Sequence, residues 1–256
     1  MSDKKKSGGK RKKFRIILAS VIAAVVVALF ILQIPQLLIA MSTMKPLDTQ
    51  EVLPNVYAIR DTFVNMYLYK SGDGYIAFDA GTNANTVSSA LDSLGISKMD
   101  VTAVFLTHTD ADHVMALTLF PGAEVIMAAS NSAFLETKDG QDRSGAFIDM
   151  GRGYNTLGNG ASYTTDAGVE IKAYYTPGHT PGSACYLVDE KYLFTGDNFR
   201  LSSGKADLFY SVFNMDNETQ RESIIFLSGI DYSIEAVFTM HNGYTTDFDA
   251  AFKKWQ

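Results

Sequence analysis

Cysteine is almost absent from this chain of 256 residues. Cys185 stands alone, so no internal disulfide can form, and its setting in Ala184-Cys185-Tyr186-Leu187 reads as a buried strand in which the thiol is a small hydrophobe. Histidine is scarce too, at four residues. Neither a Gly-rich dinucleotide fingerprint nor a Walker A sequence occurs, which argues against the common nucleotide-binding architectures. No internal repeat and no second globular domain is visible, and the length suits one large domain with appendages. Basic residues are thinly spread after position 15, where 14 Lys/Arg face 27 Asp/Glu for a net charge of −13. So acidic a domain is a poor non-specific binder of nucleic acid, because counterion release requires a positive surface.

The missing positive charge sits at the start. Residues 1–15 hold eight Lys/Arg and one acid, a net +7, and form a basic head suited to anionic lipid. Residues 16–40 carry no charge at all. As a helix rising about 1.5 Å per residue they would span roughly 37 Å, more than the ~30 Å hydrocarbon core. Gln33, Pro35 and Gln36 fall near the far interface, where a proline break and polar amides cost little. The expectation is a single transmembrane anchor. Its basic side stays cytoplasmic and the remainder of the chain lies outside. A secreted product is the competing reading, since Ala40-Met41-Ser42 offers a small-x-small cleavage site, although the apolar run is longer than that of ordinary signal peptides. Residues 41–50 are expected to be a linker, and residues 51–256 the globular domain.

Within that domain the chemistry concentrates in Thr107-His108-Thr109-Asp110-Ala111-Asp112-His113. Two imidazoles and two carboxylates occur within six residues, directly after the apolar run Val101–Leu106, which reads as a buried strand. Side chains two apart on an extended strand end point the same way, so His108 and Asp110 can converge on one ion. Asp112 and His113 sit where the chain turns into a helix and can face another. Gathering such groups out of water is unfavourable unless cations neutralise them. The two other histidines also follow apolar runs or lie in turns: His179 in Thr176-Pro177-Gly178-His179-Thr180-Pro181-Gly182, and His241 after Ala236–Met240. Asp197 closes Leu193-Phe194-Thr195-Gly196-Asp197 in the same way.

The order His108-x-Asp110-x-Asp112-His113, then His179, then Gly196-Asp197, then His241, resembles the metallo-β-lactamase-fold hydrolase superfamily from about Val52 to the C-terminus. Asp110 departs from the pattern, because most members carry a second histidine there. A carboxylate variant of this kind is similar to the domain attached to DNA-uptake competence channels, and flavodiiron proteins place a glutamate at that point. The resemblance implies an α+β, four-layer αββα sandwich. It also implies two divalent metal ions, one held by His108, Asp110 and His179 and the other by Asp112, His113 and His241, with Asp197 bridging. Zinc suits an imidazole-rich site, and manganese or iron gains ground with each carboxylate. Such a pair brings a bound water towards neutral pKa, supplying hydroxide as the nucleophile for an ester, lactone, thioester or phosphodiester. Asp112 is the candidate for orienting that water, and Asp79 corresponds to an aspartate that supports the ligands in the family.

Other expectations follow from position along the chain. Val52–Tyr69 alternates as antiparallel strands do, Thr86–Leu94 has helical spacing, and a helix His113–Phe120 precedes a strand Ala123–Ala128. The polar, glycine-bearing stretch Ser130–Ser162 reads as a surface connection that could border the cleft. Arg200 and Tyr244 are candidate contacts for a small-molecule substrate. Two other functions compete with hydrolysis: an iron-dependent oxidoreductase on the same fold, and a non-catalytic metal-binding ectodomain.

Overall fold

The computed structural model describes residues 14–22, 31 and 34–256. The chain divides into two compact units, Met1–Thr43 and Met44–Gln256. In the first, residues 14–22 and 34–43 are helical, and Ile17, Ile22 and Leu38 are among the apolar side chains more than half exposed. Among the described residues no helix is long and apolar enough to cross a membrane. Residues 23–30, 32 and 33 of the expected span, and residues 1–13 of the basic head, lie outside the described residues.

The second unit is built on two sheets. The first runs in order β1 (Gln50–Leu53), β2 (Val56–Asp61), β3 (Val64–Ser71), β4 (Gly74–Phe78), β5 (Val101–Leu106), β6 (Glu124–Ala128) and β7 (Asn155–Leu157). Pairing is antiparallel from β1 to β4 and parallel from β4 to β7. The second sheet contains β8 (Ser162–Thr164), β9 (Glu170–Tyr175), β10 (Ala184–Val188) and β11 (Tyr192–Phe194). A separate hairpin, β12 (Phe199–Ser202) with β13 (Lys205–Leu208), follows. β14 (Ala236–Thr239) and β15 (Gly243–Thr245) complete the second sheet, in which β14 pairs with β11 in parallel.

Alternation along the strands dictates the layers. Ile76 and Phe78 on β4, with Ala103 and Phe105 on β5, face Tyr186, Phe194 and Phe238 of the other sheet. The intervening Ala77, Val104 and Leu106 turn outward onto Val87 and Leu91 of the helix Ala84–Ser93. On the far side Cys185, Leu187 and Val237 meet Ile224 and Leu227 of the helix Asn217–Ser228, with Phe252 of the helix Phe248–Phe252. Four layers result, helix, sheet, sheet, helix, as the αββα expectation has it. Phe78 and Phe194 stack across the middle with centroids 3.9 Å apart. Each such buried ring is worth about 1.5–3 kcal/mol in removed apolar surface.

Two local expectations differ from the structure. Instead of one helix His113–Phe120, a single turn Ala111–Val114 gives way to a 3₁₀ segment Met115–Leu119, because Val114 leaves helical geometry at φ −126°. The stretch expected to be a surface connection holds three short helices, Ala129–Leu135, Lys138–Arg143 and Gly145–Asp149. Their buried side chains Phe134, Leu135 and Phe147 are too few and too far apart to produce a periodic signal in a polar stretch.

Parallel pairing places strand ends side by side. Asp79 follows β4 and His108 lies just beyond β5, while Asp197 lies beyond β11 and His241 beyond β14. Chemistry in α/β sheets gathers at carboxyl ends for this topological reason.

Candidate metal centre

Four histidines meet here, and in each the Nδ1 atom is already committed. His113 Nδ1 lies 2.8 Å from Asp79 Oδ2, and His241 Nδ1 lies 2.8 Å from the Phe63 carbonyl oxygen. His179 Nδ1 is 3.1 Å from Asn214 Oδ1, an oxygen identified by the amide's own Nδ2, which donates to Asn217 Oδ1 and Gln220 Oε1. His108 Nδ1 meets Thr107 Oγ1 at 3.0 Å, and that hydroxyl gives its proton to Asp79 Oδ2 at 2.8 Å. Every partner is therefore an acceptor, so each Nδ1 carries a hydrogen, and in the neutral ring Nε2 is the atom that offers a lone pair.

Those lone pairs converge. Donor atoms of His108, His179 and Asp197 lie within 4.8 Å of one another, and so do those of Asp112, His113 and His241. Asp197 joins the two groups: its Oδ2 is 3.5 Å from His113 Nε2 and 3.6 Å from His179 Nε2, and its Oδ1 is 3.2 Å from His241 Nε2. All four imidazoles are buried, yet His108 Nε2, His113 Nε2, His241 Nε2 and Asp197 Oδ1 have no hydrogen-bond partner. Orphaned buried groups of this kind are costly, and a cation at each cluster would satisfy them together. The donor set, nitrogen-rich with shared carboxylates, fits divalent ions of the zinc type.

Carboxylates dominate the field at two of the four rings. Burial pushes His113 down, but Asp112, Asp197 and Asp79 outweigh it and hold the imidazole well above its ordinary range. His241 is also raised, Asp197 overcoming the effect of burial. Burial pushes Asp197 up, while His241 and His113 hold it well below the usual carboxylate range. His108 goes the other way, lowered by burial and by the neighbouring His113.

Asp110 is placed differently from the other acids. It stands at the N-cap of Ala111–Val114 but makes no capping bond with its side chain. The carboxylate is gripped by Arg143 instead, with Nε to Oδ1 at 2.6 Å and Nη2 to Oδ2 at 2.5 Å. Its Oδ2 still lies 3.6 Å from His108 Nε2 and 3.2 Å from His179 Nε2. Burial pushes this carboxyl up, but His108, His179 and Arg143 together hold it well below its ordinary value.

Close packing fixes the loops that carry the ligands. Gly178 has φ +136°, and a β-carbon there would fall 2.3 Å from the Gln220 backbone. Gln220 is buried, donating to the Asp197 carbonyl at 3.1 Å and accepting from Phe209 N at 3.0 Å. Gly196 has φ +56°, and its β-carbon would meet Thr107 Oγ1 at 2.4 Å. Asp79, also at positive φ (58°), accepts from Thr107 N at 2.8 Å and so anchors the loop as well as His113.

Arg200 and Tyr244 are engaged elsewhere. Arg200 donates to Asp207 Oδ2 at 3.0 Å and lies over the Tyr210 ring, while the Tyr244 hydroxyl donates to the Val52 carbonyl at 3.3 Å. Aromatic rings flank the ligands instead. Phe63 stacks on His241 with centroids 5.8 Å apart, and Phe209 stands edge-on to His179 at 5.2 Å. Sequence reasoning misses Phe63, Thr107, Asn214 and Arg143. The one signal for Arg143 is Asp110 itself, a carboxylate in an imidazole's place that calls for a cation.

The sequence model of the metallo-beta-lactamase superfamily matches residues 59–241, and the chain belongs to that superfamily. It is similar to the thioesterase pkgB of Emericella nidulans, 30% identical over 175 residues that cover 66% of this chain and 44% of the relative. The chain thus spans less than half of that relative's length. It is also similar to BaeB of Bacillus velezensis, described as a probable polyketide biosynthesis zinc-dependent hydrolase, at 28% identity over 56% of this chain and 61% of the relative. Among solved structures, a metallo-beta-lactamase family protein from Thermus thermophilus superposes with a TM-score of 0.58 at 21% identity, covering 79% of this chain and 78% of that one. At that identity the likeness establishes the αββα fold alone, and the fold implies divalent metal ions.

Proposed function

We propose that this member of the superfamily is a membrane-anchored, metal-dependent hydrolase of acyl thioesters. The observation that carries the reading is the convergence of four histidine Nε2 lone pairs with Asp112 and Asp197 on one buried cleft. His108, His179 and Asp197 would hold one ion and Asp112, His113 and His241 the other, with Asp197 shared. When bound, the ions polarise a carbonyl and acidify a water, which removes the need for a side-chain nucleophile. Cys185 is no substitute, being wholly buried in the outer core.

The chain's own groups set the rest. Asp112 is the one carboxylate of its cluster with appreciable exposure, 23%, and would orient the attacking water and take its proton. Phe63 and Phe209, against the ligating rings, give an apolar wall for an acyl group. The thioester class is supported by the relative named a thioesterase. Zinc is supported by the relative described as zinc-dependent; manganese or iron would also fit the carboxylates.

Anchoring is supported by the uncharged run 16–40 behind a +7 head and by the exposed apolar side chains of its described helical residues. The proposed organisation is a cytoplasmic head over residues 1–15, an anchor over 16–40, a linker over 41–50 and an extracytoplasmic catalytic domain over 51–256.

The test uses the full chain in mild detergent, with metal content measured alongside thiol release from acyl thioesters and turnover of ester, lactone and phosphodiester probes. Thioester cleavage that stops on chelation and returns with zinc is the expected result. Bound metal without turnover of any probe would refute hydrolysis, and bound iron with oxygen consumption would assign an oxidoreductase. Protease added to intact cells should digest an epitope placed after Gln256; its protection would reverse the proposed topology.

A further inference from the structure

Arg143 reaches into the centre from the C-terminal end of its helix and touches both Asp110 and His179, one ligand of the first ion cluster. Its Nη2 lies 2.5 Å from Asp110 Oδ2 and 3.1 Å from His179 Nε2, and a further contact to the Phe213 carbonyl at 3.1 Å holds the group in place. His179 Nδ1 bears the hydrogen, because Asn214 Oδ1 accepts it. In the neutral ring the single lone pair on Nε2 then accepts from the guanidinium, with Asp110 Oδ2 beside it at 3.2 Å. A metal ion bound to His179 needs that same lone pair at about 2.0–2.1 Å. One lone pair cannot serve both.

Charge reinforces the conflict. A guanidinium stays cationic at any accessible pH, so the carboxylate that takes the place of a second histidine arrives already neutralised. Among the described residues Asp112 has no basic partner other than the His113 and His241 imidazoles beside it. The two clusters are thus unlike: one offers its own free carboxylate, and the other contains a built-in cation. We propose that Arg143 makes ion binding sequential, the Asp112, His113 and His241 cluster filling first and tightly, and the His108, His179 and Asp197 cluster filling only when Arg143 withdraws from His179. Asp110 then acts as the anchor of Arg143 and as a positioning residue for the His108, His179 and Asp197 cluster, in place of the direct ligand its location in the motif implies.

This inference rests on the metal-binding reading above, and one experiment separates their failures. Metal-stripped full chain in detergent is titrated with zinc by calorimetry, and the ions retained after dialysis are counted by elemental analysis. Wild type should hold one ion firmly and a second more weakly by about tenfold or more. Arg143→Met should tighten the second ion and leave the first unchanged, and Arg143→Gln, which keeps a donor for Asp110 without the charge, should do the same if the methionine variant does not fold. Two indistinguishable ions in wild type, or an unchanged gap in the folded variants, would overturn the role of Arg143 and leave the hydrolase reading standing. Absence of any bound ion would overturn both.

Discussion

Asp79 accepts a hydrogen bond from His113 Nδ1 at 2.8 Å, and neither side chain is exposed. The same carboxylate takes the Thr107 amide and, through the Thr107 hydroxyl, orients His108. One buried acid therefore sets the ring orientation of a ligand in each cluster. Asp79→Asn keeps a residue that tolerates positive φ but removes the charge behind the imidazole. Zinc affinity should fall by about 10–100-fold while the far-ultraviolet spectrum stays unchanged, as competition with a chromophoric chelator would report.

Asp112→Ala should remove turnover while the fold persists, because the side chain stands at the mouth of the cleft and not in its core. Losses of about 10²–10⁴-fold are typical when a group that handles the reacting proton is deleted. Steady-state rates on a thioester, measured beside a thermal melt, check both halves of the claim.

Gly196→Ala should be destabilising by about 1–3 kcal/mol, since the backbone is held at φ +56° and the new methyl would press on Thr107. Gly122→Ala meets no heavy atom within 4 Å and lacks a positive φ, so its effect should stay within about 0.5 kcal/mol. Urea midpoints of the two variants make the comparison.

Burial pushes the Cys185 thiol up to about 12. The folded protein should therefore resist a thiol reagent at pH 8, and one equivalent should react once guanidinium unfolds it.

Acid sensitivity has a defined contribution from Asp207. Burial would push its carboxyl up, but Lys254 at 2.7 Å and Arg200 at 3.0 Å outweigh that and hold it below its usual value. A depressed folded value stabilises above the unfolded value of about 3.9 and is lost as pH falls through the folded one. The pair is partly exposed, so the contribution is on the order of 0.5 kcal/mol. Asp207→Asn should shift the urea midpoint downwards at pH 6, and the difference from wild type should shrink as pH falls below about 3.9.

Strands and ligands are legible in the sequence for simple reasons. Met66–Tyr69 and Tyr75–Phe78 read as strands because they are short apolar runs, and the structure buries both faces of each. The scarcity of histidine makes each one informative. Arg143 is illegible because its partner lies 33 residues away and only the packing of three short helices brings the pair together. Asn214 and Gln220 are hidden for the same cause: an amide that fixes a tautomer carries no local pattern. Arg200 reads as a substrate contact but turns to its hairpin partner, and it is Phe209 that reaches the ligating rings.

The parallel pairing of β11 with β14 carries a consequence for biogenesis. Asp197 and His241 become neighbours only when the last strands of the chain dock, so a nascent chain that still lacks β14 already holds His108, His179 and Asp197 but cannot close the cluster of Asp112, His113 and His241. Completion of that second cluster is thereby a late step, taken after synthesis has delivered β14.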